Sequence, residues 1–298
     1  MGEAVEKAVA CIRARFGGPL TVTEIAGSAL LSTFHFSRIF KEETGISPGR
    51  FLSAVRVDEA KRLLDDTSAG VAEISAAVGY ASLGSFTHFF TGSVGLSPGR
   101  FRRRTLDTGR PLPGPTPVPD TGPGVGAVAG TVRVPAGFGA ARVFVGAFPT
   151  ALMQHPFAAA TVVDVPAGGP VCYRLSEVPP GEWYLLAAAV AAGDGHDPAA
   201  GHTALVGGHG IRPVGVTAGA MTSAALRLHP PAPLDAPVLL ALPDLTPPTL
   251  LAPRPPCVAA PTPPPTIPGA LEAAGAGGGV LRPFPATRAG TPPLWSGA

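Results

Sequence analysis

Phe34, Ser37, Arg38 and Lys41 fall away from the side of their segment that Phe36, Ile39 and Phe40 fill at i, i+3 and i+4 spacing. A guanidinium fork, a hydroxyl and an ammonium on one outward face are donors. They suit recognition of base edges and phosphates, not bond breaking. Further along, Phe86, Phe89 and Phe90 supply the expected inner side of a second segment, and Gly84, Ser85, His88 and Thr91 lie outside. No Ser/His/Asp or Cys/His constellation stands out and no phosphate loop is present, so no catalytic residue is assigned and no enzyme is expected. Asp194, His196 and Asp197, with His202 and His209 after them, have metal-ligand side chains, but their spacing matches no ligand motif. That stretch reads as a polar loop, and neither a metal nor a cofactor is expected.

The elements that position these faces are written in local signals. Glu3–Phe16 reads as an amphipathic helix ended by Gly17-Gly18-Pro19. Thr21 and Glu24 form a capping box that starts a short helix with Ile25 and Ala29 inward. The chain turns at Leu30–Leu31, and Ser32 caps a second helix, Thr33–Glu42. This is helix, tight turn, helix, with a polar outer face on the second helix, the face that DNA readers place in the major groove. The logic repeats. Gly70 precedes a helix with Glu73 in its first turn and Ile74 and Val78 inward, Gly79 suits the turn, and Ser82 caps Leu83–Thr91. Between the units Ser47-Pro48 opens a long helix to Asp66, with Pro in its favourable first turn. Val55, Ala60, Leu63 and Leu64 can pack against both units from there. Phe40, Gly45, Ser47, Pro48, Gly49, Arg50 and Phe51 recur fifty residues later as Phe90, Gly95, Ser97, Pro98, Gly99, Arg100 and Phe101. Two copies of one unit make a paired module, too few for a solenoid.

The runs LTVTEIAGSALLSTFHFSRIFKEETGISP, EAKRLL and VAEISAAVGYASLGSFTHFFTGSVGLSPGRFRR, in register, resemble the DNA-binding domain of the AraC family of transcription regulators. The resemblance covers residues 5–104 and implies an all-α double helix-turn-helix domain whose two second helices enter adjacent major-groove segments on one DNA face. Carried onto this sequence, Phe34, Ser37 and Arg38 face bases in the first unit, and Gly84, Ser85 and His88 in the second. Arg38 suits the bidentate edge of guanine, and Lys41 suits phosphate. Three positions depart from the family pattern: Leu30 stands where a turn Gly is common, His88 where Arg is frequent, and Thr91 where Lys is frequent. The second unit is therefore expected to be the weaker reader. The domain leads the chain, as in a group of high-GC bacterial relatives that the chain resembles.

Bulk properties agree. The net charge of the 298 residues is only +2, but residues 1–104 carry thirteen basic against ten acidic side chains. Cys11, Cys172 and Cys257 stand singly, which argues against a disulfide scaffold or zinc finger. No leader-like or membrane-length apolar run is visible, so a cytoplasmic protein without membrane contact is expected. Residues 105–126, with Pro111, Pro113, Pro115, Pro117, Pro119 and Pro123, read as a Pro-rich linker. Residues 127–245 show short β-like runs separated by turns, expected as a small all-β sandwich. Val178-Pro179-Pro180-Gly181-Glu182-Trp183 and its flanks resemble prealbumin-like or carboxypeptidase-regulatory-like sandwiches. Residues 246–298 are Pro/Gly-rich and expected to be disordered. The reading is a sequence-specific regulator of transcription whose partner is double-stranded DNA. The β domain is expected to close a homodimer rather than to hold a small-molecule effector, since no charged convergent pocket is legible. The rival is an interaction or assembly protein whose β domain carries the specific work and whose DNA binding is weak or nonspecific.

Overall fold

In the computed structural model residues 2–104, 124–193, 201–242, 245 and 247 are described. The chain divides into two compact units, Met1–Cys257 and Val258–Ala298, and the second lies outside the described residues, as does most of the Pro-rich stretch 105–126.

The leading part contains seven helices: α1 (Gly2–Arg15), α2 (Val22–Ser28), α3 (Thr33–Thr44), α4 (Pro48–Asp66), α5 (Val71–Ala77), α6 (Leu83–Val94) and α7 (Pro98–Arg103). The expected caps are present. The Glu24 amide donates to Thr21 Oγ1 at 3.2 Å while the Thr21 amide donates to Glu24 Oε2 at 2.8 Å. The amides of His35 and Ser85 donate to the Ser32 and Ser82 hydroxyl oxygens. At α5 only half of such a box forms, because Gly70 has no side chain: its amide donates to Glu73 Oε2 at 2.8 Å.

The sequence repeat is a packing repeat. Phe36, Phe40 and Phe51 stack with centroids 5.3 and 5.5 Å apart, and Phe86, Phe90 and Phe101 repeat the arrangement at 5.5 and 5.6 Å. All six rings are fully buried, and such tilted and edge-on pairs add to their burial. Phe89 is the correction here: it is not an inner residue but is 37% exposed, with its ring beside Tyr80.

The two units meet where the α1–α2 loop reaches the second turn. Arg56 of α4 donates to the Phe16 and Gly18 carbonyls at 2.8 and 2.9 Å. Gly79, at φ +86°, packs so closely that a Cβ there would lie 2.8 Å from the Phe16 oxygen. Only glycine fits both the left-handed backbone and the contact. Leu30, in the matching turn of the first unit, also has positive φ, +57°, yet is 93% exposed.

The β-rich part follows with β1 (Gly126–Arg133), β2 (Ala141–Phe148), β3 (Ala159–Val165), β4 (Val171–Val178), β5 (Gly181–Ala192), β6 (His202–Gly208), β7 (Val214–Val216), β8 (Met221–Ser223) and β9 (Leu226–His229). The sheet runs in the order β3-β2-β5-β6-β9-β1-β4, with β7 on β5 and β8 on β1. Its end strands β3 and β4 are consecutive in the chain, so the sheet curls nearly closed around Val128, Val143, Val145, Leu175, Leu205 and Leu226. The Tyr173 hydroxyl donates to the Ala224 carbonyl inside this core. The stretch expected as a polar loop is corrected in part: His202–Gly208 is a strand between β5 and β9. Asp194, His196 and Asp197 lie outside the described residues.

β2 is buried along nearly its whole length. One face lines the inner core, and the other carries Phe144 and Phe148 under Met153, Phe157 and Leu240. Leu240 belongs to a strap, residues 232–242, that crosses onto the helices. Leu239 and Ala241 of the strap, with Leu152, join the helical core.

Candidate nucleic-acid interface

α3 and α6 present the faces expected to read DNA. On α3, Phe34 is 86% exposed, Arg38 and Lys41 are exposed, and Ser37 is half-buried. Phe34 therefore packs against nothing in the helical core and stands free at the start of the helix. Arg38 Nε lies 3.9 Å from Glu42 Oε1, one turn on, a loose exposed pair that a competing acceptor can replace at little cost. On α6, Gly84, Ser85 and His88 are all exposed. Ser85 Oγ accepts from the Ser82 hydroxyl at 2.9 Å, and a Cβ at Gly84 would meet nothing within 4 Å. The two faces differ chemically: α3 carries two cations, whereas His88 is the one titratable side chain in α6.

What holds these faces in place is a set of charged groups turned inward. Arg102 donates to the carbonyls of Leu64 and Ala69, at the end of α4 and just beyond it. Arg104 grips Asp65 with two hydrogen bonds of 2.7 Å, its guanidinium 3.5 Å from the Phe101 ring centre. The arginine run Arg100–Arg104 is thus divided: Arg102 and Arg104 lock α7 to α4, while Arg100 and Arg103 are exposed.

The strap adds contacts the sequence did not announce. Lys61 Nζ donates to the Val238 carbonyl at 2.6 Å. Arg13 donates to the Pro233 and Asp235 carbonyls. The amide of Ala241 donates to Val94, the last residue of α6, and that of His155 to Ser93. Burial pushes the Lys61 ammonium down to about 8, against the opposing pull of Asp58, and burial likewise raises the Asp58 carboxyl. His155 also faces the side of α6 that bears Gly84, His88 and Thr91 across an open cleft. The apolar run Val238-Leu239-Leu240-Ala241-Leu242 was the available signal for the strap, though nothing local names its partner.

Among the described residues no group of three or more His, Cys, Asp or Glu is placed to hold a metal ion, and no helix is long and apolar enough to cross a membrane.

Two capped helix-turn-helix units joined by one rigid helix define a paired DNA-binding domain. Residues 25–104 form an AraC-type helix-turn-helix domain, matching the family model described as "Helix-turn-helix domain". Over 91 residues the chain is 35% identical to the HTH-type transcriptional regulator Rv1931c of Mycobacterium tuberculosis, covering 30% of this chain and 35% of that protein. Over 102 residues it is 30% identical to the lactose operon transcription activator of Staphylococcus xylosus, covering 34% and 37%. Among solved structures it is similar to the C-terminal domain of AraT, a response regulator from Geobacillus stearothermophilus, at 33% identity, TM-score 0.33 and coverage of 34% and 84%. It is also similar to the DNA-binding domain of AdpA, a global transcriptional factor, in complex with a target DNA, at 27% identity, TM-score 0.34 and coverage of 36% and 97%. The chain spans about a third of the length of the curated relatives it matches. Their names are those of regulators, not enzymes.

Proposed function

We propose that the protein is a sequence-specific transcription regulator in which one subunit reads two adjacent major-groove segments, with α3 and α6 as recognition helices. The observation that carries this reading is the duplicated aromatic core. The same caps and the same three-ring stack support each outward helix, and α4 fixes the distance between them. Arg38 supplies bidentate contact to a guanine edge, Ser37 and Phe34 read its neighbours, and Lys41 holds phosphate. Gly84, Ser85 and His88 form the second, weaker face.

The assignment of 5–104 to DNA, 105–126 to a linker, 127–245 to a β domain and 246–298 to a tail is part of this reading. So is a β domain related to the prealbumin-like or carboxypeptidase-regulatory-like sandwiches, a cytoplasmic location, and a dimer formed through the β domain. A two-fold pair would bring four reading helices to DNA and offset the weak second face by raising effective concentration. The test is selection of bound sequences from a random duplex pool, followed by salt titration on the winner and on random DNA. A winner bound about 1,000-fold or more above random DNA at physiological salt supports the reading. Equal binding to both, lost with equal salt slopes, refutes sequence-specific recognition.

A further inference from the structure

Helices, sheet and strap meet around a cavity of about 600 Å³.

Three elements line it: the end of α3, the central strands β5, β6 and β9, and the strap from Leu234 to Val238; its mouth, at His209 and Ile211, is open to solvent. Leu186, Val206 and Leu234 give it an apolar floor, with Ile211, 55% exposed, at its rim, and its size falls in the range of small-molecule sites. Arg227 of β9, an exposed side chain, lines its mouth, and among the described residues its guanidinium has no hydrogen-bond or ion-pair partner. The other charged groups are already committed or lie on another element. Asp235 accepts from the Ala232 amide at 2.6 Å and stands 3.6 Å from His229 Nδ1. Glu43 lies on the helical wall. A guanidinium beside an apolar floor is the pairing that captures a planar anion bidentately while burying the hydrocarbon attached to it. The carboxylate on the helical wall disfavours a second negative charge on the ligand.

We infer that this cavity is an effector site for a small organic anion with one carboxylate or sulfonate head and an uncharged apolar body. Arg227 binds the head, and Leu186, Val206 and Ile211 take the body. The site goes beyond the DNA-reading proposal and does not depend on it. Its placement gives a ligand a route to the DNA face. The strap wall is hydrogen-bonded through Lys61 and Val94 to both halves of the helical domain, and the α3 wall ends at Gly45, where a Cβ would meet Ala151 at 2.7 Å.

The probe is 8-anilinonaphthalene-1-sulfonate, whose fluorescence rises in apolar surroundings, titrated into the full chain. Saturable one-to-one binding is expected. Arg227→Ala should weaken it at least tenfold, and Arg227→Lys less, since it keeps the charge without the fork. Arg174→Ala, on β4 and outside the cavity, should leave it unchanged. Circular dichroism melts of the variants establish that each is folded. Binding that never saturates, or that is equally strong in folded Arg227→Ala, overturns the site. Binding to the selected duplex is measured alongside. A chain that binds the sulfonate through Arg227 but does not discriminate DNA refutes the regulator reading and leaves the cavity assignment standing.

Discussion

Lys61 Nζ, on the long helix joining the two reading units, donates to the Val238 carbonyl at 2.6 Å across 177 residues of chain. The side chain is half-buried, with its ammonium end under the strap, and burial brings its pKa to about 8. Below pH 8 the ammonium is charged in folded and unfolded chains alike, and the cost of covering it is present in full. Between pH 8 and about 10.4 the unfolded chain keeps a proton that the folded chain has released, so stability rises with pH across that window. Tyr80, pushed up to about 12, opposes this above about pH 10. Urea unfolding at pH 8 and pH 10 should show the full chain gaining roughly 1–2 kcal/mol relative to Lys61→Met, after discounting for partial solvent screening. Parallel pH profiles for the two proteins would mean that Lys61 is not desolvated in solution.

Leu30→Gly should stabilise the protein by about 1 kcal/mol. Leu30 holds φ +57° with 93% of its surface exposed, so it carries the left-handed strain without a packing return. Chemical denaturation of the two proteins measures the difference. A loss of stability would mean that the leucine makes a contact offsetting its backbone cost.

Leu239→Ala should cost about 2–5 kcal/mol, because the side chain is fully buried in a core built mostly from the helices. If the melting temperature does not move, the strap is not docked on the helices in solution. A fragment of residues 1–104 lacks Leu152, Leu239 and Ala241, and is expected to be less stable than the same helices in the full chain, as read by its denaturation midpoint.

These contacts also show where sequence reading stops. The caps at Ser32, Ser47 and Ser82, the helix Pro48–Asp66 and the fifty-residue repeat were legible because each signal and its consequence lie within a few residues. The outward placement of Phe34, Arg38 and His88 followed from the same helical period. β6 was missed because His202–Gly208 has two glycines and no alternating apolar face; its hydrogen bonds to β5 and β9 make it a strand. The roles of Arg102 and Arg104 were not legible, since nothing local shows that Leu64, Asp65 and Ala69 wait for them. The strap escaped for the same reason: an apolar run among prolines has no period, and its partners are Lys61, Arg13 and Val94. The cavity at Arg227 exists only once these distant pieces meet.

Arg38→Ala should lower affinity for the selected site by roughly 1–3 kcal/mol and relax preference at one base pair, with little change on random DNA. Quantitative binding to a set of single-base variants checks this. An equal loss on every sequence would assign Arg38 to phosphate.

The central claim, that α3 and α6 read DNA together, is tested most directly by hydroxyl-radical footprinting of the full chain on its selected duplex. The account predicts that each subunit protects two segments about one helical turn apart on one face of the DNA. Arg38→Ala should weaken one segment, and a bulky, charged His88→Glu the other. Protection confined to a single groove segment per subunit, unchanged by His88→Glu, would contradict it.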